Sequence, residues 1–153
     1  MPSMPTAQRG ITVRRSRYVV TPVETIPEAD SLSFLAGDLI IATTAQGTVY
    51  IADSNAQIYG IALRAGNNDT DNDELAVTPF IPGIIYRMPI SAANSEATQV
   101  SATTHVGVRY GINQDDSGFG FVNVSDTINT RCRVLRLLDA AGTIAGFAEV
   151  EPI

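Results

Sequence analysis

The segment Phe34–Gly66 constrains the fold of this chain most strongly, because it divides into short apolar runs separated by turn residues. Leu39–Thr43 follows a Gly-Asp pair, Thr48–Ala52 follows a Gln-Gly pair, and Ile58–Leu63 follows an Asp-Ser-Asn triplet. Runs rich in Val, Ile, Thr and Tyr that recur about every ten residues are typical of a small sandwich or barrel. The segment holds almost no reactive side chain, so it predicts a surface for presentation and not a catalytic site.

The same pattern continues toward the C-terminus. We expect further strands at Leu75–Phe80, Gly83–Ile90, Val106–Ile112, Phe119–Val124, Arg131–Leu138 and Ile144–Val150. Arg131–Leu138 also suits a helix, but a run this short between turn signals fits a strand better. Ser125, Asp126 and Thr127 are residue types that cap helices, so a short helix over Asp126–Arg131 is an alternative there. The sequence therefore predicts an all-β body, a small β-barrel or β-sandwich, over residues 31–153.

Residues 1–30 differ from this body and predict an extended N-terminal arm with a connector. Ile11–Val20 alternates weakly between apolar residues and arginine, and Pro22 and Pro27 stiffen the residues that follow. The first twenty residues hold four of the ten arginines and no acidic residue, whereas the rest of the chain holds six arginines and all sixteen acidic residues. A basic arm on an acidic body is typical of an arm that docks on another molecule.

Two interpretations of Ile11–Val20 remain open. The first is a solvated tail, since charged termini are commonly disordered. The second is an edge strand that joins the sheet of a partner and is ordered only there, with its arginines on an acidic or carbonyl-rich surface. In the second interpretation the partner-binding residues are Ile11, Val13, Arg14, Arg15, Arg17, Tyr18 and Val19.

Residues suited to catalysis are scarce in this sequence. His105 is the single histidine and Cys132 the single cysteine, and neither stands in a motif that lowers the pKa of a thiol. We interpret them as a histidine at a strand end and a cysteine that faces the core. The sequence therefore predicts no catalytic residues and no enzyme.

The segment Asp69–Glu74 has the alternating acidic residues of a calcium-binding loop. However, its sixth position is Glu74, where such a loop needs glycine, and its twelfth is Phe80, where the loop needs a bidentate glutamate. We therefore expect a solvated loop, no metal site and no cofactor.

Composition also limits the partners and the compartment. The longest apolar runs, such as Leu39–Ala42, are far shorter than the roughly 18 residues of a membrane span. The proline-containing N-terminus does not look like a secretory signal, and the lone cysteine forbids an intrachain disulfide, so synthesis in the cytoplasm is expected. The body is acidic and shows no basic stripe in sequence, so we expect no direct nucleic-acid contact and no membrane contact.

A succession of motifs runs through residues 30–150. They are FLAGDL at 34–39, IYGIAL at 58–63, TP at 78–79, VGVRYGI at 106–112, VSDT at 124–127 and VLRLLDA at 134–140. In this order they resemble the capsid decoration proteins, also called cement or head-stabilising proteins, of tailed bacteriophages. The resemblance implies a β-tulip-like body on the capsid exterior of the virion, bound to the major capsid protein and assembled as a homotrimer. Its implied function is to stabilise the expanded capsid by bridging neighbouring capsid subunits.

The predicted trimer needs an interface, and the proline-broken strands offer one. Phe80, Ile81, Ile84 and Ile85 are apolar residues that we expect to face another copy instead of water. Two alternatives to decoration remain. One is a virion protein that contacts the tail or a receptor, and the other is a β-barrel that binds a small ligand in an apolar pocket lined by convergent polar groups.

Overall fold

The structure is a computed structural model that describes residues 10–27, 35–42, 49–51, 58–65, 74–92, 100–114 and 120–153. The strands in these ranges are β1 Thr12–Ser16, β2 Glu24–Pro27, β3 Leu39–Ala42, β4 Val49–Ile51, β5 Ile58–Ala62, β6 Glu74–Pro79, β7 Ile84–Ser91, β8 Arg109–Gln114, β9 Gly120–Asn123, β10 Cys132–Leu137 and β11 Phe147–Pro152. The helical structure in the described residues is a single 3-10 turn, Thr103–His105. None of the described helices could cross a membrane. The predicted all-β fold is confirmed.

Five strands close into a barrel in the order β7–β11–β10–β8–β9, with β9 returning to β7. The strands are antiparallel except at the closure, where β9 runs parallel to β7 through the pairs Ile90–Val122 and Ser91–Asn123. β1 adds to the barrel by pairing antiparallel with the first half of β7, from Thr12 opposite Arg87 to Ser16 opposite Ile84. β7 therefore has β11 on one edge and both β1 and β9 on the other.

A second, antiparallel sheet has the strand order β2–β6–β5–β3–β4. Leu39 and Ile61 of this sheet join the same core as the barrel interior. On the opposite face Ile40, Leu75 and Val77 form a second buried cluster. Both faces of the sheet are thus apolar in the middle, which explains why β3 is a continuous apolar run and does not alternate with polar residues.

The barrel interior is filled by alternate side chains of its strands, because successive residues of a strand point to opposite faces. On β7 the inward residues are Ile84, Tyr86, Met88 and Ile90, all fully buried. The hydroxyl of Tyr86 donates a hydrogen bond to the carbonyl oxygen of Pro79 at 2.5 Å, so the one polar atom of this large side chain has a partner.

The residues expected at a trimer interface are placed differently. Ile84 is 0% exposed and Ile85 is 3% exposed, so the expectation that they face another copy is wrong. The reason is that β7 is a central strand. Other strands of this chain pair with both of its edges, and side chains of this chain cover both of its faces. Phe80 and Ile81 are half-buried and pack against the main core, with the Phe80 ring centroid 5.3 Å from that of Tyr86.

The segment Ile11–Ser16 is part of the body. Ile11 is 2% exposed, and its backbone N–H donates to the carbonyl oxygen of Gly37 at 3.1 Å. A Cβ on Gly120 would lie 2.9 Å from Cδ1 of Ile11, so glycine at that position leaves room for the isoleucine. This corrects the prediction that Ile11–Val20 is ordered only on a partner, since β1 pairs with β7 of its own chain. The body therefore begins before the boundary predicted at residue 30.

The remaining strands agree with those expected from the sequence. Each strand predicted from Leu39 onward has a counterpart, and Arg131–Leu138 contains strand β10 and not a helix. The alternative short helix over Asp126–Arg131 does not form. The Asp126 carboxylate accepts the backbone N–H groups of Ile128 and Asn129, as a helix N-cap does, but the residues after it make a bend and not a helix. Met1–Arg9 and the acidic segment Asp69–Asp73 lie outside the described residues.

Candidate interaction surface

Outward-facing arginines lie on a series of strands around the outside of the barrel. They are Arg14 and Arg15 on β1, Arg87 on β7, Arg133 and Arg136 on β10 and Arg109 on β8, with Arg17 directly after β1. β11 lies between β7 and β10 and contributes two acidic residues, Glu149 and Glu151. We call this set of seven arginines and two glutamates the arginine face. It extends over all the strands of the order β1–β7–β11–β10–β8.

Glu149 is the centre of the arginine face. Its side chain is 2% exposed, and its two carboxylate oxygens contact Arg136 Nη2 at 2.8 Å, Arg15 Nη2 at 3.1 Å and Arg14 Nε at 3.6 Å. The hydrogen bond from Arg136, together with the nearby positive charges, outweighs burial and holds the pKa of Glu149 below its ordinary value. Glu149 is therefore a buried anion that fixes the positions of three guanidinium groups.

Two β-bulges make this arrangement possible. On β1 the register shifts between Val13 and Arg15, so the extra residue Arg14 can point the same way as Arg15. Strict alternation would send these two side chains to opposite faces. On β10 a second shift between Val134 and Arg136 sets Arg136 opposite Glu149. The bulges thus turn arginines from two strands toward a single carboxylate.

Two further contacts fix the positions of arginines at the edge of the arginine face. Arg17 Nη2 lies 3.4 Å from the Glu151 carboxylate, which also accepts the backbone N–H of Gly83 at 3.2 Å. The Arg87 guanidinium lies over the Phe147 ring, 3.1 Å from its centroid, and burial is the main cause that lowers the Arg87 pKa. The arginines paired with glutamate still expose 44–73% of their side chains. Because each guanidinium has five N–H donors, most of these donors are left for another molecule.

An exposed apolar segment, Tyr18–Val23, follows directly on Arg17. Val19 is 104% exposed, Val20 77% and Val23 56%. The segment is anchored at its start, because the Tyr18 hydroxyl donates to the carbonyl oxygen of Pro82 at 3.0 Å and the ring lies against Gly83. Exposed apolar and aromatic residues beside arginines are the composition of a protein–protein interface.

The predicted partner-binding residues therefore divide into groups. Ile11 is in the core, and Val13 is half-buried against it. Arg14, Arg15 and Arg17 form ion pairs with glutamates of their own chain. Tyr18 and Val19 are exposed, so their contact with a partner stays a prediction. Sequence reasoning missed the arginines of β7, β8 and β10, because only the strand pairing places them on the strands that follow β1 around the barrel.

The two residues with reactive side chains have structural partners. Cys132 is fully buried, as predicted, and burial raises the pKa of its thiol to about 12. The Nδ1 atom of His105 accepts the backbone N–H of Ala102 at 3.1 Å, and its ring meets Tyr110 edge-on. Among the residues that the structure describes, no group of three His, Cys, Asp or Glu side chains could hold a metal ion.

An apolar cleft of about 220 Å³ lies between the start of β1 and the second sheet. Its lining includes Ile11, Val13, Ile61 and Leu63, and its polar side chains are threonines. A binding site for a small molecule combines an apolar wall with convergent polar groups that orient the ligand. The described lining of this cleft carries no charged side chain, so the arginine face and the apolar segment are the stronger candidate site.

No model of a known protein family matches this chain, and no curated protein matches its sequence.

Proposed function

We propose that this chain is a structural virion protein that binds the exterior of the expanded capsid of a tailed bacteriophage. In this proposal it bridges neighbouring major capsid subunits, acts as a homotrimer and catalyses no reaction. It is made in the host cytoplasm and ends on the outer surface of the particle. The proposal starts from the resemblance of the motifs between residues 30 and 150 to capsid decoration proteins.

One structural observation carries the proposal further. The exposed apolar segment Tyr18–Val23 continues into the arginine face, and both are mounted on a barrel whose strands pair on every side. A decoration protein has to hold two neighbouring subunits together, so its contact surface must be broad and must not deform. Arginines fixed by Glu149 on a closed sheet meet that requirement, since their positions are set before the partner arrives.

Many copies on one particle also lower the affinity that each contact needs. When several subunits of a trimer contact the same shell, dissociation of one contact leaves the others in place, and the effective concentration for rebinding is high. Under this condition a surface of exposed arginines and apolar side chains is sufficient, although each residue contributes little binding energy.

The experiment is to mix the purified protein with expanded capsids that lack it and to image the particles by electron microscopy. We expect extra density at a fixed position between capsid subunits, at near-stoichiometric occupancy, and no binding to unassembled capsid protein. Density confined to the tail would support the alternative of a tail or receptor-contacting protein. Capsids that remain bare at saturating protein would contradict the proposal.

A further inference from the structure

Two arginines of the arginine face lie directly opposite each other. In the antiparallel register of β8 and β10, Arg133 pairs with Arg109. Both side chains are exposed. Within the described residues neither of them makes an ion pair or a side-chain hydrogen bond, in contrast to Arg15 and Arg136 on the same face.

This pairing is unfavourable in itself, although Arg133 also has Glu151 of β11 opposite it on its other side. Directly opposed side chains on a sheet have Cβ atoms about 5 Å apart, and like charges at that distance repel each other. Glutamine or threonine at either position would keep the strand without the repulsion. A position where the sequence departs from what favours folding is where a functional constraint is expected.

The distribution of charge over the described residues points to the same surface. The arginine face holds seven arginines and two glutamates, while the other described residues hold two arginines and five acidic residues. Among the described residues of a chain with net charge −6, most of the positive charge therefore lies on the arginine face. Such a face attracts a negative partner over several ångströms and orients the encounter.

We infer that Arg109 and Arg133 form a binding site for carboxylates, and that the arginine face as a whole docks on an acidic protein surface. Two guanidinium groups facing each other can clamp one carboxylate between them, each through paired N–H donors. A carboxylate there would also remove the repulsion between the two arginines.

Three observations favour a protein surface over nucleic acid as the occupant. Glu149 and Glu151 interrupt the positive charge in the middle of the face, where a phosphate backbone would meet repulsion. The exposed residues Val106 and Val108 precede Arg109, and the apolar segment Tyr18–Val23 borders the other end. Apolar rims suit protein interfaces, whereas phosphate backbones offer nothing apolar to contact. The net charge of −6 also opposes the approach of a polyanion as long as DNA.

The test measures the binding of a labelled oligoglutamate peptide by fluorescence anisotropy. A labelled duplex DNA of equal formal charge is the alternative ligand with which the peptide is compared. The wild-type chain should bind oligoglutamate despite its own negative charge, and added salt should weaken the binding. Arg133→Gln should lower the affinity about twofold to fivefold, and the double variant Arg109→Gln/Arg133→Gln about tenfold. Arg64→Gln makes the same change in net charge away from the face and should leave the affinity unchanged.

Urea unfolding of the same variants separates lost binding from lost structure. Arg109→Gln should unfold at the same urea concentration as the wild type or at a higher one, because the repulsion is relieved. Arg133→Gln should unfold at nearly the same concentration as the wild type, because it also gives up the attraction of Glu151. Absence of oligoglutamate binding, an equal loss in Arg64→Gln, or tighter arginine-dependent binding of DNA would each overturn the inference.

As an account of capsid binding, the inference rests on the proposed function, but the peptide measurement uses no capsid. If capsids stay bare while oligoglutamate binds in the expected way, the capsid proposal fails and the carboxylate site stands. If capsids bind the wild type and the double variant equally well at several salt concentrations, the site plays no part in capsid binding.

Discussion

The packing of Ile11 leads to the most decisive prediction, because it separates a strand of the body from a detachable arm. Ile11 is 2% exposed and belongs to the main core together with residues of both sheets. Its side chain reaches Gly120 of β9, where a Cβ would lie 2.9 Å from its Cδ1. Shortening the side chain to alanine should therefore leave a void at the barrel wall.

The size of the effect follows from the groups removed. Ile11→Ala deletes three carbon groups, each worth about 0.8 kcal/mol when buried. The void adds a further cost, because the surrounding side chains relax only in part, and buried isoleucine-to-alanine changes typically cost about 2–5 kcal/mol. We expect a loss of about 3 kcal/mol in the free energy of unfolding, which lowers the Tm of a chain of this size by roughly 6–12 °C.

The assay is equilibrium unfolding in urea followed by circular dichroism, with Val19→Ala as the matched control. Val19 is 104% exposed, so its truncation should change the free energy of unfolding by less than about 0.5 kcal/mol. The slope of the unfolding curve should stay constant, which keeps the comparison two-state. If Ile11→Ala proves as mild as Val19→Ala, Ile11 does not pack in the core and the N-terminal segment is a separate arm after all.

Three further predictions concern single residues. Glu149→Gln should lower the free energy of unfolding at neutral pH by about 1–2 kcal/mol. Because the pKa of Glu149 is depressed in the folded protein, the wild type should lose this advantage over the variant as the pH falls through that pKa. A variant as stable as the wild type at neutral pH would refute the role of the carboxylate. Cys132 should not react with a thiol reagent at mildly alkaline pH until denaturant is added, since its pKa is raised to about 12; rapid release of the coloured thiolate product from the folded protein would contradict its burial. Gly60→Ala should destabilise by about 1–3 kcal/mol in thermal unfolding, because its Cβ would lie 2.5 Å from the Thr78 carbonyl oxygen, and an unchanged Tm would argue against this pairing of β5 with β6.

The strands were predictable from the sequence because each is bounded by local turn signals. Gly37-Asp38 before β3 illustrates this, since Gly37 has φ of 93° and the Asp38 carboxylate accepts the backbone N–H of Leu35 at 2.8 Å. Such features depend on neighbouring residues alone. The pairing of β1 with β7 depends on residues far apart in the chain, and a short alternating segment reads the same in a free arm and in a barrel strand.

The candidate site was less predictable for the same reason. Arg15 lies 134 residues from Glu149 in sequence, and a bulge of one residue decides whether Arg15 and Arg136 face the core or the solvent. Net charge counted along the chain gave an acidic body, whereas the fold sets seven of the ten arginines on or directly after a series of strands around the barrel. Ile84 and Ile85 were misplaced because the composition of a strand does not tell whether it is central or at an edge.

The order of strands in the barrel has a consequence for how the protein is made. β11 follows every other strand in the sequence, yet it lies between β7 and β10. During synthesis the edges of β7 and β10 that pair with β11 therefore leave the ribosome unpaired. The barrel can close only after β11 has been made. Non-local pairing of this kind slows folding to milliseconds or longer, and open strand edges recruit other chains in the meantime. The yield of native protein should therefore fall as the rate of synthesis rises, since nascent chains with open barrels then meet each other more often than they meet their own final strand.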